Sequence, residues 1–299
     1  MIQLSFSSSQ AWASAPLGQV MDWGAKHGFD AIEIMGRHLK PGAILDDPDE
    51  VRRPLRRSGL QIAALAPMLN LLSPEPTVRV ANIQRFRLTL QAAAALQVRT
   101  VVTYAGSAYG MYFWGLPATH PDDPTHRERD NLYLWTDTFG PLAEEAEALG
   151  VRIAFETAPR GGGQGNLAHA PALWEEMFAA LPSPALGLSF DPSHLVWLHA
   201  GPVEPLLREF SARLFQIDGK DTEIFPERLR RQGILGNDWW RYRLPGDGGL
   251  DWRQILTTLQ DLGYDGAVSI ENEDPVSPGR DGCERALAHL RTCLPPAAV

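Results

Sequence analysis

Short apolar runs alternate with helical stretches along the whole chain. The runs are Gln3–Ser7, Ala31–Met35, Gln61–Leu65, Thr100–Tyr104, Arg152–Thr157, Gly187–Asp191, Phe215–Asp218 and Val268–Glu271. Their length, their β-branched and aromatic content and their alternation predict strands. Between them, stretches such as Phe139–Leu149 and Trp252–Leu262 repeat apolar residues at helical spacing. Gly28, Gly59, Gly150 and Gly263 stand just before strands, where a left-handed residue ends a helix and returns the chain to the sheet. Repeated β/α units predict a parallel sheet, and eight of them fit the usual size of a (β/α)8 barrel, about 250 residues. The expected architecture is therefore an α/β fold, a single-domain (β/α)8 TIM barrel over residues 1–294, with 295–299 as a tail. A doubly wound open sheet fits less well, because no G-x-G-x-x-G follows the first strand.

Strand parity adds chemistry to this outline. In Arg152-Ile153-Ala154-Phe155-Glu156, Ile153 and Phe155 share one face while Ala154 and Glu156 share the other. Gly187–Asp191 sets Leu188 and Phe190 opposite Ser189 and Asp191, and Gln216-Ile217-Asp218 repeats the pattern. Ala267–Glu271 separates Val268 and Ile270 from Ser269 and Glu271. Large apolar side chains belong against the helices and the small or polar ones toward the barrel axis. An acid therefore ends the inward face of four strands: Glu156, Asp191, Asp218 and Glu271. Converging carboxylates need a counter-charge, and a divalent cation is the simplest one. An all-oxygen set suits Mg2+ or Mn2+ better than Zn2+. The competing reading makes each acid a helix cap or turn residue, and Asp218-Gly219 is also an ordinary turn dipeptide.

Other residues gather around these ends. His194 follows Asp191 by three positions and is expected to touch substrate. Lys220, Asp221, Glu273 and Asp274 lie just beyond strand ends, where they can orient ligands or bind hydroxyls. Glu33 has inward parity on the second strand, for substrate contact or structural hydrogen bonding. Arg243 is read either as a site for an anionic substrate group or as surface charge. Long loops at 107–130 and 222–249 follow strand ends, and Tyr109, Tyr112, Phe113, Trp114, Trp239, Trp240 and Tyr242 make them aromatic. Such loops either cover a substrate at the barrel mouth or pack on themselves. The run Gly161–Asn166 lacks phosphate-loop spacing and reads as a flexible loop.

Charge and cysteine usage narrow the partners. The formal charge of −9 disfavours a dedicated nucleic-acid binder. Arg52, Arg53, Arg56 and Arg57 fit the solvated face of a helix. Cys283 and Cys293 on one helix stand about 15 Å apart, too far for a disulfide, which fits a reducing compartment. No apolar run reaches membrane-spanning length and no basic leader precedes the first strand, so the cytoplasm is the expected location and no membrane partner is expected.

Several segments together resemble a known family. They are Ile153–Thr157, Phe190-Asp191-Pro192-Ser193-His194-Leu195, Asp218-Gly219-Lys220-Asp221-Thr222, Leu244–Gly248 followed by Asp251-Trp252, Gly263–Gly266, and Ser269-Ile270-Glu271-Asn272-Glu273-Asp274. In this order they resemble the xylose isomerase-like TIM-barrel superfamily, also called the sugar phosphate isomerase/epimerase family, over nearly the whole chain. The resemblance implies that Glu156, Asp191 and Glu271 are metal ligands, that the two Glu double as catalytic acid/base groups, and that His194 touches substrate. Asp218 stands where the family usually has the His of a His-x-Lys-Asp pattern, and would serve as a fourth, harder ligand. Asn272 stands where relatives often carry His. Lys220, Glu33 and Arg243 complete the substrate-binding candidates. The expected activity is that of a sugar isomerase or epimerase acting on a ketose or keto-polyol. It would abstract an α-proton through a cis-enediolate with one divalent metal ion, Mn2+ or Mg2+ favoured and Zn2+ or Co2+ as alternatives. The alternatives are a metal-dependent dehydratase or lyase of a keto-inositol type substrate and a non-catalytic sugar-binding barrel. A small sugar or polyol is the expected partner, and a homo-oligomer is left open.

Overall fold

The computed structural model describes all residues except 1, 10, 11, 13, 110–126, 162, 163 and 297–299. Its strands are β1 (Gln3–Ser7), β2 (Ala31–Met35), β3 (Gln61–Ala66), β4 (Thr100–Thr103), β5 (Arg152–Glu156), β6 (Arg160–Gly161), β7 (Gln164–Gly165), β8 (Leu186–Phe190), β9 (Leu214–Gly219), β10 (Asp221–Ile224), β11 (Trp240–Arg243) and β12 (Ala267–Ile270). Eight of them close into a barrel in the order β1-β12-β9-β8-β5-β4-β3-β2, and the pairings are parallel. These are the eight strands that the sequence pattern predicts. Their ends differ by about one residue, so that Asp191 and Glu271 lie just past β8 and β12 rather than within them.

Two compact units make up the chain, and β3 and β8 run through both. The first comprises Met1–His38, Glu50–Ala63 and Phe190–Val299. Its ladder β2-β1-β12-β9 sets Ser5 beside Ser269 and Ser269 beside Asp218, while Ser7 pairs with Glu33. One row of polar residues thus lines the inner face, as parity requires. The opposite face carries Leu4, Phe6, Ile32, Ile34, Ile217, Val268 and Ile270, all buried. Helices Leu17–His27, Asp49–Ser58, Trp252–Asp261 and Arg280–Cys293 belong to this unit. Arg52, Arg53, Arg56 and Arg57 lie on Asp49–Ser58, where Arg57 pairs with Asp22. Cys283 and Cys293 both sit on the last helix, buried and free.

The second unit comprises Leu39–Asp49 and Ala64–Ser189. Its ladder pairs Val101 with Ile153 and Phe155 with Leu188. Phe155 meets Trp135 and Phe139 edge-on. That contact explains a longer helix than expected: Glu128–Leu149 runs through Pro141, because Trp135, Phe139 and Leu142 anchor it on both sides of the proline. The run at 161–166, expected as a flexible loop, is flanked by a short strand pair. Arg160–Gly161 pairs antiparallel with Gln164–Gly165, and Asn166 is buried; Gly162 and Gly163 lie outside the described residues. So do Tyr112, Phe113 and Trp114 of the 107–130 segment, and the end of the tail.

The 222–249 segment is also more ordered than a loop. β10 and β11 form an antiparallel ribbon that pairs Thr222 with Tyr242 and Asp221 with Arg243, with the helix Pro226–Gln232 between them. No helix among the described residues is long and apolar enough to cross a membrane.

Candidate functional site

Asp191 opens the helix Pro192–Trp197 directly after β8. Its Oδ1 accepts the backbone N–H of Ser193 at 2.8 Å, and Pro192 occupies the first helical position, where a missing N–H costs nothing. Asp191 is therefore a helix cap, as the competing reading has it, but only through one oxygen. Its other oxygen, Oδ2, faces His194 Nε2 at 3.0 Å and Lys220 Nζ at 2.9 Å. The same ammonium lies 2.7 Å from Glu271 Oε2 and 3.0 Å from Glu273 Oε2. Lys220 is buried. Burial pulls its pKa down, but Asp191, Glu271 and Glu273 outweigh burial and hold it well above the ordinary value. Burial likewise pushes Asp191 up, and His194 with Lys220 more than reverse this, leaving it far below the usual carboxylate range. Part of the counter-charge that sequence reasoning gives to a divalent cation thus comes from a lysine.

A second cluster lies along the inner row. The Gln216 amide donates to Glu33 Oε1 at 2.9 Å and to Asp218 Oδ1 at 3.4 Å, and Ser269 Oγ donates to Glu33 Oε2 at 3.2 Å. Burial pushes the Glu33 carboxyl up to about 7, against the lowering by these hydrogen bonds. Of the two readings of Glu33, structural hydrogen bonding is the one on view. Asp218 and Gly219 belong to β9 and not to a turn. A side chain at Gly219 would come within 3.3 Å of the Ile270 backbone, so glycine here permits the close approach of β9 and β12.

Arg243 is occupied by carboxylates. Its guanidinium donates to Asp274 Oδ2 at 2.9 Å and Glu223 Oε2 at 2.8 Å, with Asp247 at 3.6 Å. Despite burial, these contacts raise the pKa of Arg243 and lower that of Asp274. Asp221 accepts from the Thr222 and Leu250 amides and from Trp252 Nε1, while burial moves its pKa up to about 6. Asp221, Asp274 and Arg243 hold the ribbon in place; Lys220 and Glu273 join the polar cluster. Tyr242, seen in the sequence only as one aromatic among several, places its hydroxyl 3.0 Å from His194 Nδ1. The available signal is the ribbon alternation that sets Tyr242 opposite Thr222.

In the second unit, Glu156 ends β5, buried, in register with Ser189, two residues before Asp191. Asn166 secures the turn after it: its amide donates to Glu156 O at 2.8 Å and Ala158 O at 2.7 Å, and its oxygen accepts from Gly106 N at 2.9 Å. Nothing in the sequence singles out Asn166. Within the first unit, Asp191 and His194 set a buried carboxylate beside a buried imidazole. A carboxylate and an imidazole are both ligand types for a divalent cation.

Comparison with known proteins identifies the family. The sequence pattern described as Xylose isomerase-like TIM barrel matches residues 21–293. The chain belongs to this family. Within reach of the same fold, the uncharacterized protein YfiH of Bacillus subtilis is 27% identical, over 93% of this chain and 95% of its own. The D-psicose 3-epimerase of Agrobacterium fabrum is 24% identical, over 86% of this chain and 80% of its own. Among solved structures, IOLI protein with a bound zinc atom superposes with a TM-score of 0.70 at 20% identity, covering 98% of this chain and 96% of that one. The family thus includes sugar epimerases on this barrel, and a divalent metal in a barrel of the same fold.

Proposed function

We propose that the chain is a divalent-metal-dependent sugar isomerase or epimerase, acting on a ketose or keto-polyol by α-proton abstraction. The observation that carries this reading is the excess of carboxylate at the strand ends. Asp191, Glu271 and Glu273 share a single ammonium, and Glu156 and Asp218 are buried acids on the neighbouring strand ends of the ring. Acids gathered at neighbouring strand ends favour binding of a divalent cation. The proposed holders are Glu156, Asp191, Asp218 and Glu271. A divalent ion held there would supply Lewis acidity toward a carbonyl and its neighbouring hydroxyl and so would acidify the adjoining C–H.

The remaining chemistry falls to the chain's own groups. Glu156 and Glu271 move the α-proton. Glu271 meets Lys220 through Oε2, and Oε1 is the atom assigned the proton. His194 and Lys220 donate to substrate oxygens. Glu33 and Arg243, each already hydrogen-bonded within the protein, shape the wall behind them. Kinship with D-psicose 3-epimerase supports an epimerase or isomerase over other barrel chemistries.

The test is Mn2+ titration by calorimetry into EDTA-treated protein, alongside Asp218→Ala, followed by a ketose screen for α-proton exchange with solvent. Saturable binding near one site that weakens in Asp218→Ala is expected, with exchange lost in Glu156→Gln or Glu271→Gln. Failure of the intact protein to bind Mn2+ would remove the metal-dependent reading and leave a sugar-binding barrel. Full exchange in both Gln variants would remove the assigned carboxylates.

A further inference from the structure

Two neighbouring strands of the second unit diverge at the level of Glu156. β4 ends at Thr103, opposite Phe155, while β5 runs one residue further to Glu156. The peptide group that follows Glu156 keeps a strand partner on one side, where the Thr157 N–H donates to Ser189 O at 3.2 Å. On the other side β4 has ended, and a buried carbonyl left without a donor is costly. The Asn166 side chain fills this place. One N–H of its amide donates to Glu156 O at 2.8 Å and the other to Ala158 O at 2.7 Å, while its oxygen accepts from the Gly106 N–H, just beyond β4, at 2.9 Å. A side-chain amide thus replaces one rung of the sheet.

The amide can sit only one way round. Turned over, its oxygen would face two carbonyls and its nitrogen would face the Gly106 N–H, so all three bonds would be lost. Asn166 is buried, and its backbone is held as well, the N–H by Pro159 O at 3.2 Å and the carbonyl by His169 Nδ1 at 2.8 Å. Its chain neighbours grip the same stretch: Ser107 Oγ donates to Gly165 O at 2.8 Å, and the Leu167 N–H donates to Gly106 O at 3.0 Å. The backbone of Glu156 is therefore ordered by a residue ten positions along the chain, which meets the ends of β4 and β5 at once.

We propose that Asn166 is a positioning residue for Glu156: it holds the peptide plane after Glu156 between Ser189 and the end of β4, and so sets the direction in which the carboxylate leaves the strand. A side chain leaves a strand in a direction given by the local backbone, so a strand end free to fray would spread the carboxylate over several directions. Substitutes of similar or smaller size cannot do the same work. Asp keeps an acceptor for Gly106 but has no donor for the two carbonyls, and Ala removes all three bonds. The role of the carboxylate in holding a metal ion and moving a proton rests on the sugar-isomerase reading above; the tether of its backbone does not.

Mn2+ titration of the full chain by calorimetry tests this, with Asn131→Ala as the control. Asn131 is also buried and bonds the backbone of Ala108 and Tyr109 through its side chain, away from Glu156. Asn166→Ala should weaken Mn2+ binding about 10–100-fold, as loss of a group that orients a metal ligand does. Asn131→Ala should lower the thermal midpoint and leave Mn2+ affinity unchanged. In a Glu156→Ala background, Asn166→Ala should weaken binding no further. Unchanged affinity in Asn166→Ala, an equal loss in Asn131→Ala, or a loss that persists without Glu156 would overturn the proposal. Where Asn166→Ala does not fold, Asn166→Ser, which keeps one donor, is read in the same way. If the unaltered protein does not bind Mn2+, the metal-dependent reading fails, and carbon-13 NMR of the glutamate-labelled chain decides the tether. The Glu156 carboxyl signal, identified by its loss in Glu156→Gln, should be single in the unaltered protein and in Asn131→Ala and should shift or split in Asn166→Ala. A signal that ignores Asn166 would leave Glu156 positioned by β5 and β8 without it.

Discussion

At the scale of single residues, Lys220 governs the electrostatics. One buried ammonium meets three carboxylates at 2.7–3.0 Å, so removing it leaves like charges with nothing between them. Breaking a buried ion pair from one side costs about 3–5 kcal/mol. Lys220→Met in EDTA should lose stability of this order in urea denaturation, and Mn2+ should restore more of it than it adds to the unaltered protein. An unchanged midpoint in EDTA would mean that the carboxylates do not depend on the lysine. Glu33 gives a second residue-scale expectation. Its pKa rises from 4.5 to about 7, chiefly by burial. The folded state therefore binds more protons than the unfolded chain within that window, and stability falls as pH rises from about 4.5 to about 7. Glu33→Gln keeps the shape and removes the ionisation. Its stability relative to the unaltered protein should improve between pH 5 and pH 8, and a pH-independent difference in urea midpoints would contradict this.

At the scale of elements, the ribbon of β10 and β11 is the part of the site least visible in advance. Thr222-Glu223-Ile224 and Trp240-Arg241-Tyr242 do alternate, but each strand has only four residues and a helix separates them. Pairing of such short runs is decided by tertiary anchors, and these are Asp221, Arg243 and Asp274. Asp221 needs Gly248 to come close. A methyl group at position 248 would overlap the Asp221 carboxylate that binds Thr222, Leu250 and Trp252. Gly248→Ala should cost about 1–3 kcal/mol as an overpacked site. Thermal melts read this cost, and a variant that melts normally would show that Asp221 has room to move. The barrel strands stand at the other extreme. Their period-two pattern alone locates Glu156, Asp191, Asp218 and Glu271 at inward strand ends, because alternation is a property of the backbone and needs no knowledge of partners.

At the scale of the whole molecule, the same contrast separates what the chain reveals from what folding adds. Parity could place the acids but not Lys220, which follows Gly219 beyond the regular alternation of β9 and reaches its three partners only once strands distant in sequence are side by side. It could not divide Asp191 into a capping oxygen and a site oxygen, since both roles begin from the same strand end. Nor could it distinguish Arg243 bound by Glu223 and Asp274 from Arg243 open to an anion. The net charge of −9 gains a more specific meaning in this light. A diffuse negative surface attracts any divalent ion weakly and without saturation, whereas a buried carboxylate set takes one tightly. Ligand that binds only the folded state stabilises it by about 2.7 kcal/mol at one hundred times its dissociation constant. The thermal midpoint of EDTA-treated protein should therefore rise by several degrees with Mn2+ and level off. Asp218→Ala should need more Mn2+ to reach the same rise, and Ca2+ at equal concentration should act less, because a larger ion asks for more oxygen ligands. A shift that grows without limit and ignores Asp218 would assign the effect to surface charge and not to the strand-end acids.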